Sequence, residues 1–167
     1  MEMRLPFVVR RMEFGDVPSV MALARSLDKW FNPEGLARIA EDLTSPSGYV
    51  AVRRPATLGF VTWKAVDEEV AELTWMGVSE TQQRRGIGTV LLASLVVDLR
   101  RAGYHFLEVS TVADNVEYEP YARTRRFYRA RGFVDHRVDA LYWGAGNDRY
   151  DRLVLRLNLA TPGSPRP

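Results

Sequence analysis

The chain contains no cysteine, which excludes disulfides, a thiolate-bound zinc and a cysteine nucleophile. An excess of one charge is missing too. With 23 Lys+Arg against 21 Asp+Glu the net charge is +2, too little for a dedicated nucleic-acid coat, whose affinity rests on many phosphate contacts. Lysine is scarce, since Lys29 and Lys64 are the only two, and the arginine bias carries little functional weight. The two histidines, His105 and His136, stand apart on strand-like segments with no second histidine at ligand spacing, so no metal is expected. Long apolar runs are lacking as well: Val90–Val97 is interrupted by Ser94 and falls far short of the ~20 residues that cross a bilayer. The first eleven residues set Glu2, Pro6 and arginines around a short apolar patch and have no cleavage-site pattern. The expectation is a cytoplasmic protein with neither a membrane nor a nucleic-acid partner.

What the 167 residues do hold is 46% hydrophobic and 11% aromatic content, enough for a core and, at ~100–200 residues per domain, for one domain. Phe7–Met12 reads as a strand. Asp16 then reads as an N-cap, with Pro18 in the first turn and apolar residues from Val17 to Leu27 at helical spacing. Asn32 and Pro33 start a second helix. Tyr49–Arg53 and Leu58–Val66 flank a turn at Pro55 as a hairpin, and Val70–Val78 follows as a third strand-like run. Ile87, Val90, Leu91, Leu95 and Leu99 mark a helix over Ile87–Arg101, closed by Gly103. Tyr104–Val112 reads as a strand, Pro120–Arg131 as a helix ending at Gly132, and Phe133–Trp143 and Tyr150–Leu159 as strands around a turn at 144–148. The fold class is α/β, in the order β-α-α-β-β-β-α-β-α-β-β, with a single domain over 1–160 and a disordered tail at 161–167.

The sharpest local signal is Gln83-Arg84-Arg85-Gly86-Ile87-Gly88, between the strand ending at Val78 and the helix beginning at Ile87. Two glycines let the backbone turn tightly with no Cβ between it and a ligand. The first N–H groups of a helix lack intrahelical partners and carry its positive dipole end. Together they form a cradle for a phosphate or pyrophosphate, with Arg84 and Arg85 at its rim. Two other phosphate motifs fail. A Walker loop needs Lys where Thr89 stands, and a dinucleotide fingerprint needs a third glycine where Leu91 stands.

The stretch Ala71–Thr89, with its R/Q-x-x-G-x-G/A pattern, resembles the acetyl-CoA-binding core of the GNAT (Gcn5-related) N-acetyltransferase superfamily. A second stretch, Phe127-Tyr128-x-x-x-Gly132-Phe133, is similar to that family's F/L-Y-x-x-x-G-F close, and the element order resembles the fold along residues 6–159. The resemblance implies a mixed, mostly antiparallel sheet of about seven strands flanked by about four helices. It implies acetyl-CoA as co-substrate, its pyrophosphate on the backbone N–H groups of Arg84, Arg85, Gly86, Ile87, Gly88 and Thr89 behind Gln83, and its pantetheine along Met76, Gly77 and Val78. The acceptor would be a small-molecule or peptide amine that attacks the thioester directly. A non-catalytic acyl-CoA-binding sensor on the same scaffold is the alternative, since a binder needs the loop but neither catalytic side chain. A homodimer is allowed, with no interface legible.

For the chemistry, Glu72 matches the position of a Glu base in some relatives, and period 2 sets it on the face of Thr74 and Met76. Glu117, Glu119 or a water chain stand in reserve, and a surface ion pair is the plain reading of Glu72. Tyr128 occupies the place of the family's acid. Where the family often has Asn-x-x-Ala-x-x-Phe-Tyr, this chain has Tyr121 and Thr124, while Asn115 lies before an apparent insertion at Val116–Pro120. Tyr121 and Thr124, or Asn115, would contact the pantetheine. Trp30 and Phe31, between the first two helices, are exposed apolar residues unless they pack or bind, and are candidates to touch the acceptor. The arginines at 123, 125, 126, 129 and 131 read as a solvated helix face.

Overall fold

A computed structural model describes residues 6–160, so the expected tail at 161–167 lies outside the described residues. The chain runs β1 (Val8–Arg11), α1 (Val17–Ser26), α2 (Pro33–Asp42), β2 (Gly48–Arg53), β3 (Ala56–Ala65), β4 (Val70–Val78), α3 (Ile87–Arg101), β5 (Phe106–Val112), α4 (Glu119–Arg129), β6 (Val134–Ala145) and β7 (Asp148–Asn158). Its strands form one seven-stranded sheet in the order β1-β2-β3-β4-β5-β7-β6. The β1–β2, β2–β3, β5–β7 and β6–β7 pairs are antiparallel and β4–β5 is parallel, the mixed sheet with four α-helices that the sequence implied. Among the described residues the chain clusters into two compact units, one of residues 6–64 and 74–98, the other of 65–73 and 99–160.

In the first unit, Met12, Val20, Leu23, Ala24, Leu27, Ile39, Leu43, Val50 and Phe60 form one buried cluster. Fully burying each large member is worth roughly 1.5–3 kcal/mol against leaving it in water. The two helix starts differ. Asn32 caps α2 as expected, its Oδ1 accepting from Gly35 N at 2.8 Å. Asp16 stands at the N-cap of α1 but does not cap it. Its carboxylate instead takes both Arg10 guanidinium nitrogens at 2.8 Å and the Glu13 N–H at 2.8 Å, and Arg10 holds it below the usual carboxylate range. A charge-assisted fork outweighs one neutral cap bond. Ile87, Leu91 and Leu95, one helical turn apart on α3, are buried as the 3.6-residue period requires.

In the second unit, α3 and α4 close in the same way. Gly103 N donates to Arg100 O and Tyr104 N to Leu99 O; Gly132 N donates to Arg129 O and Phe133 N to Tyr128 O. This is the 5→2, 6→1 pair of a Schellman motif. It explains why β5 starts at Phe106 rather than Tyr104: the Tyr104 N–H already serves the helix end, and His105 N reaches Glu69 O. Leu107, Val109, Leu153 and Leu155 fill the core on β5 and β7. The β6–β7 hairpin extends further than the sequence suggested, pairing as far as Ala145 with Asp148. Among the described residues no helix is long and apolar enough to cross a membrane.

Candidate functional site

The glycine turn lies entirely in the first unit, between the end of β4 and the start of α3. Arg84, Arg85, Gly86 and Thr89 are exposed, Gln83 and Gly88 half-buried, and Ile87 buried. Gly86 has φ +81°, the left-handed region, and a Cβ built there would meet nothing within 4 Å. A glycine needed by the backbone therefore faces open space, the condition for a group to approach the main chain closely. Arg84 shares the left-handed region at φ 64°, a conformation that recurs in anion-binding nests. Gln83 is not part of the rim. Its Nε2 donates to Val78 O at 3.1 Å, tying the turn back to the strand. Neither Arg84 nor Arg85 forms an ion pair among the described residues.

The strand that leads into this turn is not regular. The Thr62 and Thr74 hydroxyls meet at 2.7 Å, so both point to one side of the sheet. Phe60 shares that side with Thr62, because β3 pairs regularly with β2 from Gly59 to Thr62. A Cβ on Gly77 would come within 2.9 Å of the Phe60 ring and 2.7 Å of Leu27. Thr74 and Gly77, three residues apart, thus share a face, which requires one extra residue between them, a bulge. Met76 therefore leaves the face of Thr74, contrary to the simple alternation that grouped them. Trp75, at the bulge, packs against the α1–α2 cluster.

In the second unit the register of β4 with β5 covers Val70–Leu73 against Phe106–Val109, although the strands continue to Val78 and Val112. Glu72 is half-buried and stands in register with Glu108. Glu108 is 9% exposed and accepts from Arg156 Nε at 3.0 Å, with His136 Nε2 at 3.8 Å. The sequence reading passed over Glu108; a carboxylate between the apolar Leu107 and Val109 was the available signal. Tyr128 is 4% exposed, its ring 5.3 Å from that of Phe133 and 5.2 Å from that of Phe127. The Schellman closure sets the Phe133 contact, since that motif brings its first and last residues together. Burial alone pushes the Tyr128 hydroxyl well above the ordinary tyrosine range, so it stays protonated at any working pH.

The model of the acetyltransferase (GNAT) family matches residues 17–133. The chain belongs to that family. Among solved structures, a GNAT-family acetyltransferase from Desulfovibrio desulfuricans is similar at 26% identity and a TM-score of 0.80, over 92% of this chain and 99% of that one. The ribosomal-protein-S18-alanine N-acetyltransferase of Escherichia coli is 19% identical, with a TM-score of 0.75 over 94% and 96%. A GNAT acetyltransferase from Elizabethkingia anophelis, solved with acetyl-CoA bound, is 18% identical, with a TM-score of 0.70 over 93% and 99%.

Within this GNAT fold the remaining expected residues divide. Asn115 Nδ2 donates to Asp151 Oδ2 at 3.1 Å, and Thr124 Oγ1 donates to Pro120 O at 3.1 Å, a bond internal to α4. Tyr121 is half-buried against Tyr118, ring centroids 4.8 Å apart, and burial first, then Tyr150 and Tyr118, raise its hydroxyl pKa. In the first unit Trp30 and Phe31 are half-buried and pack on the α1–α2 cluster, so they are not the bare apolar surface their position suggested. Trp75 and Asp42 escaped the sequence reading. Phe31 meets Trp75 edge to face at 6.0 Å, and Trp75 Nε1 donates to Asp42 Oδ2 at 2.6 Å. On α4 Arg123, Arg126 and Arg129 are exposed, as a solvated face requires, and Arg131 beyond it is half-buried; Arg125 departs from that reading. Arg125 is 5% exposed, donating to Val112 O at 2.7 Å and Ala113 O at 3.2 Å with Asp114 beside it at 3.1 Å. Arg129 grips Asp114 and Asp135 at 2.8 Å each.

Proposed function

We propose that this GNAT acetyltransferase moves the acetyl group of acetyl-CoA to a primary amine by direct attack in a ternary complex. The observation that carries the reading is the open turn at Gly86, left-handed, exposed and placed at the N-terminus of α3. Its N–H groups from Arg84 to Thr89 hold the diphosphate, and the exposed Arg84 and Arg85 add positive charge. Met76, Gly77 and Val78 offer main-chain groups to the pantetheine in the manner of an added strand. Acetyl-CoA supplies the activated acyl carbon.

A lysine-like amine has a pKa of ~10.4 and arrives as the ammonium. Glu72 takes its proton, the nitrogen lone pair forms the C–N bond, and the C–S bond breaks. A thiolate of pKa ~8.5 is a weaker base than a phenolate buried as deeply as that of Tyr128. Tyr128 therefore acts as a hydrogen-bond donor to the charge developing on sulfur, and a main-chain N–H near Met76–Gly77 does the same for the carbonyl oxygen. Tyr121 and Thr124, on the same helix as Tyr128, contact the pantetheine, while Trp30 and Phe31 serve the acceptor.

Acetyl-CoA at ~100 times its Kd stabilises a binding protein by ~2.7 kcal/mol, read as a thermal shift. Gly86→Val should abolish that shift, because a β-branched side chain resists φ near +80° and projects where the ligand lies. Thiol release across an amine panel completes the test. Binding without release for any amine would make the protein an acyl-CoA sensor instead, and no shift for the wild type would remove both readings.

A further inference from the structure

We propose that the acceptor carries a second, cationic group and that Phe31, Trp75 and Asp42 hold it. The inference deepens, and rests on, the acetyl-transfer reading above. All three residues belong to the first unit. Phe31 and Trp75 each bury one side against the α1–α2 cluster and keep the rest of their surface in solvent. Their edge-to-face contact at 6.0 Å fixes the two rings relative to each other. Asp42, at the end of α2, is exposed, and among the described residues its carboxylate accepts one bond, from Trp75 Nε1 at 2.6 Å, which leaves lone pairs to spare. Aromatic surface within ~6 Å of a cation, next to a carboxylate, is the chemistry that recognises an alkylammonium group.

Charge around the cluster agrees. Residues 28–42 hold Asp28, Glu34, Glu41 and Asp42 against Lys29 and Arg38. Lys29 is paired with Glu80 and Arg38 with Glu34, so the segment is negative in a chain whose net charge is +2. Position agrees as well. Trp75 directly precedes Met76, the first residue of the stretch assigned to the pantetheine, so the cluster stands at the reacting end. The amine that attacks must shed its proton, so its own charge is not what Asp42 retains. A charge a few carbons away is. The class is therefore a diamine or another chain with a basic tail, rather than a monoamine with an apolar one.

The test is titration calorimetry of 1,4-diaminobutane and of 1-aminobutane into the wild type and Asp42→Asn, with CoA present. Asparagine keeps an oxygen for Trp75 Nε1 and removes only the charge. The diamine should bind the wild type more tightly than the monoamine. Asp42→Asn should weaken the diamine by about three- to fivefold, an effect that shrinks in about 0.5 M salt. Equal affinity of the two amines for the wild type, or a diamine affinity that the substitution leaves unchanged, overturns the proposal. If CoA itself gives no binding heat, the acetyl-transfer reading falls separately, while the amine titrations still decide this one.

Discussion

Arg84 and Arg85 at the glycine turn make no ion pair among the described residues, while Arg125 and Arg129 of α4 are each held by several oxygens. The two places carry the same residue type at similar density, yet they spend it differently. Around α4 the carbonyls of Val112 and Ala113 and the carboxylates of Asp114 and Asp135 lie within reach, and the guanidinium groups become structural struts joining the end of β5 to the helix and the start of β6. At the turn neither arginine has such a partner among the described residues, so the charge stays available to something outside the chain. The positive charge of Arg125 and Arg129 is thus cancelled locally before it can attract a distant polyanion.

Replacing Arg125 with Met probes the closed side of this contrast hardest. It strands two carbonyls and removes one of the two guanidinium partners of Asp114, and urea unfolding should register a loss of about 2–4 kcal/mol. A change below about 0.5 kcal/mol would mean that the strut is ornamental. Tyr128→Phe asks whether the closed unit contributes chemistry as well as support. Turnover should fall about 100-fold, the usual cost of one hydrogen-bond donor to a developing charge, with acetyl-CoA affinity nearly unchanged. The smallest effect belongs to the open side. Arg84→Ala and Arg85→Ala should leave stability within ~0.5 kcal/mol, weaken acetyl-CoA by a few-fold in equilibrium binding and flatten its salt dependence. If either instead unfolds the protein, the contrast between the two arginine sets is lost.

Much of this architecture was legible because its signals are local. Asn32-Pro33 starts α2, Gly103 and Gly132 end α3 and α4, and the apolar period of Ile87–Arg101 gives α3 its full length. The turn at Gly86 and the place of Tyr128 were readable for the same reason, since each is set by residues within six positions of it. What escaped was non-local. Asp16 has the form of a cap but is claimed by Arg10 across a turn. The bulge between Thr74 and Gly77 emerges only from side chains on β3 and α1. Asp42 meets Trp75 across 33 positions of sequence, and no periodicity of α2 or β4 announces that bond.

The backbone at Gly77 lies so close to Leu27 and Phe60 that any side chain there would have to displace one of them. The first unit's oily interior therefore presses directly on the ribbon assigned to the carrier's arm, with nothing between to cushion it. Changes of bulk at Leu27 or Phe60, far from any reacting atom, would be transmitted as a displacement of that ribbon. In this chain, tuning the catalyst and repacking the interior are one and the same operation at that point.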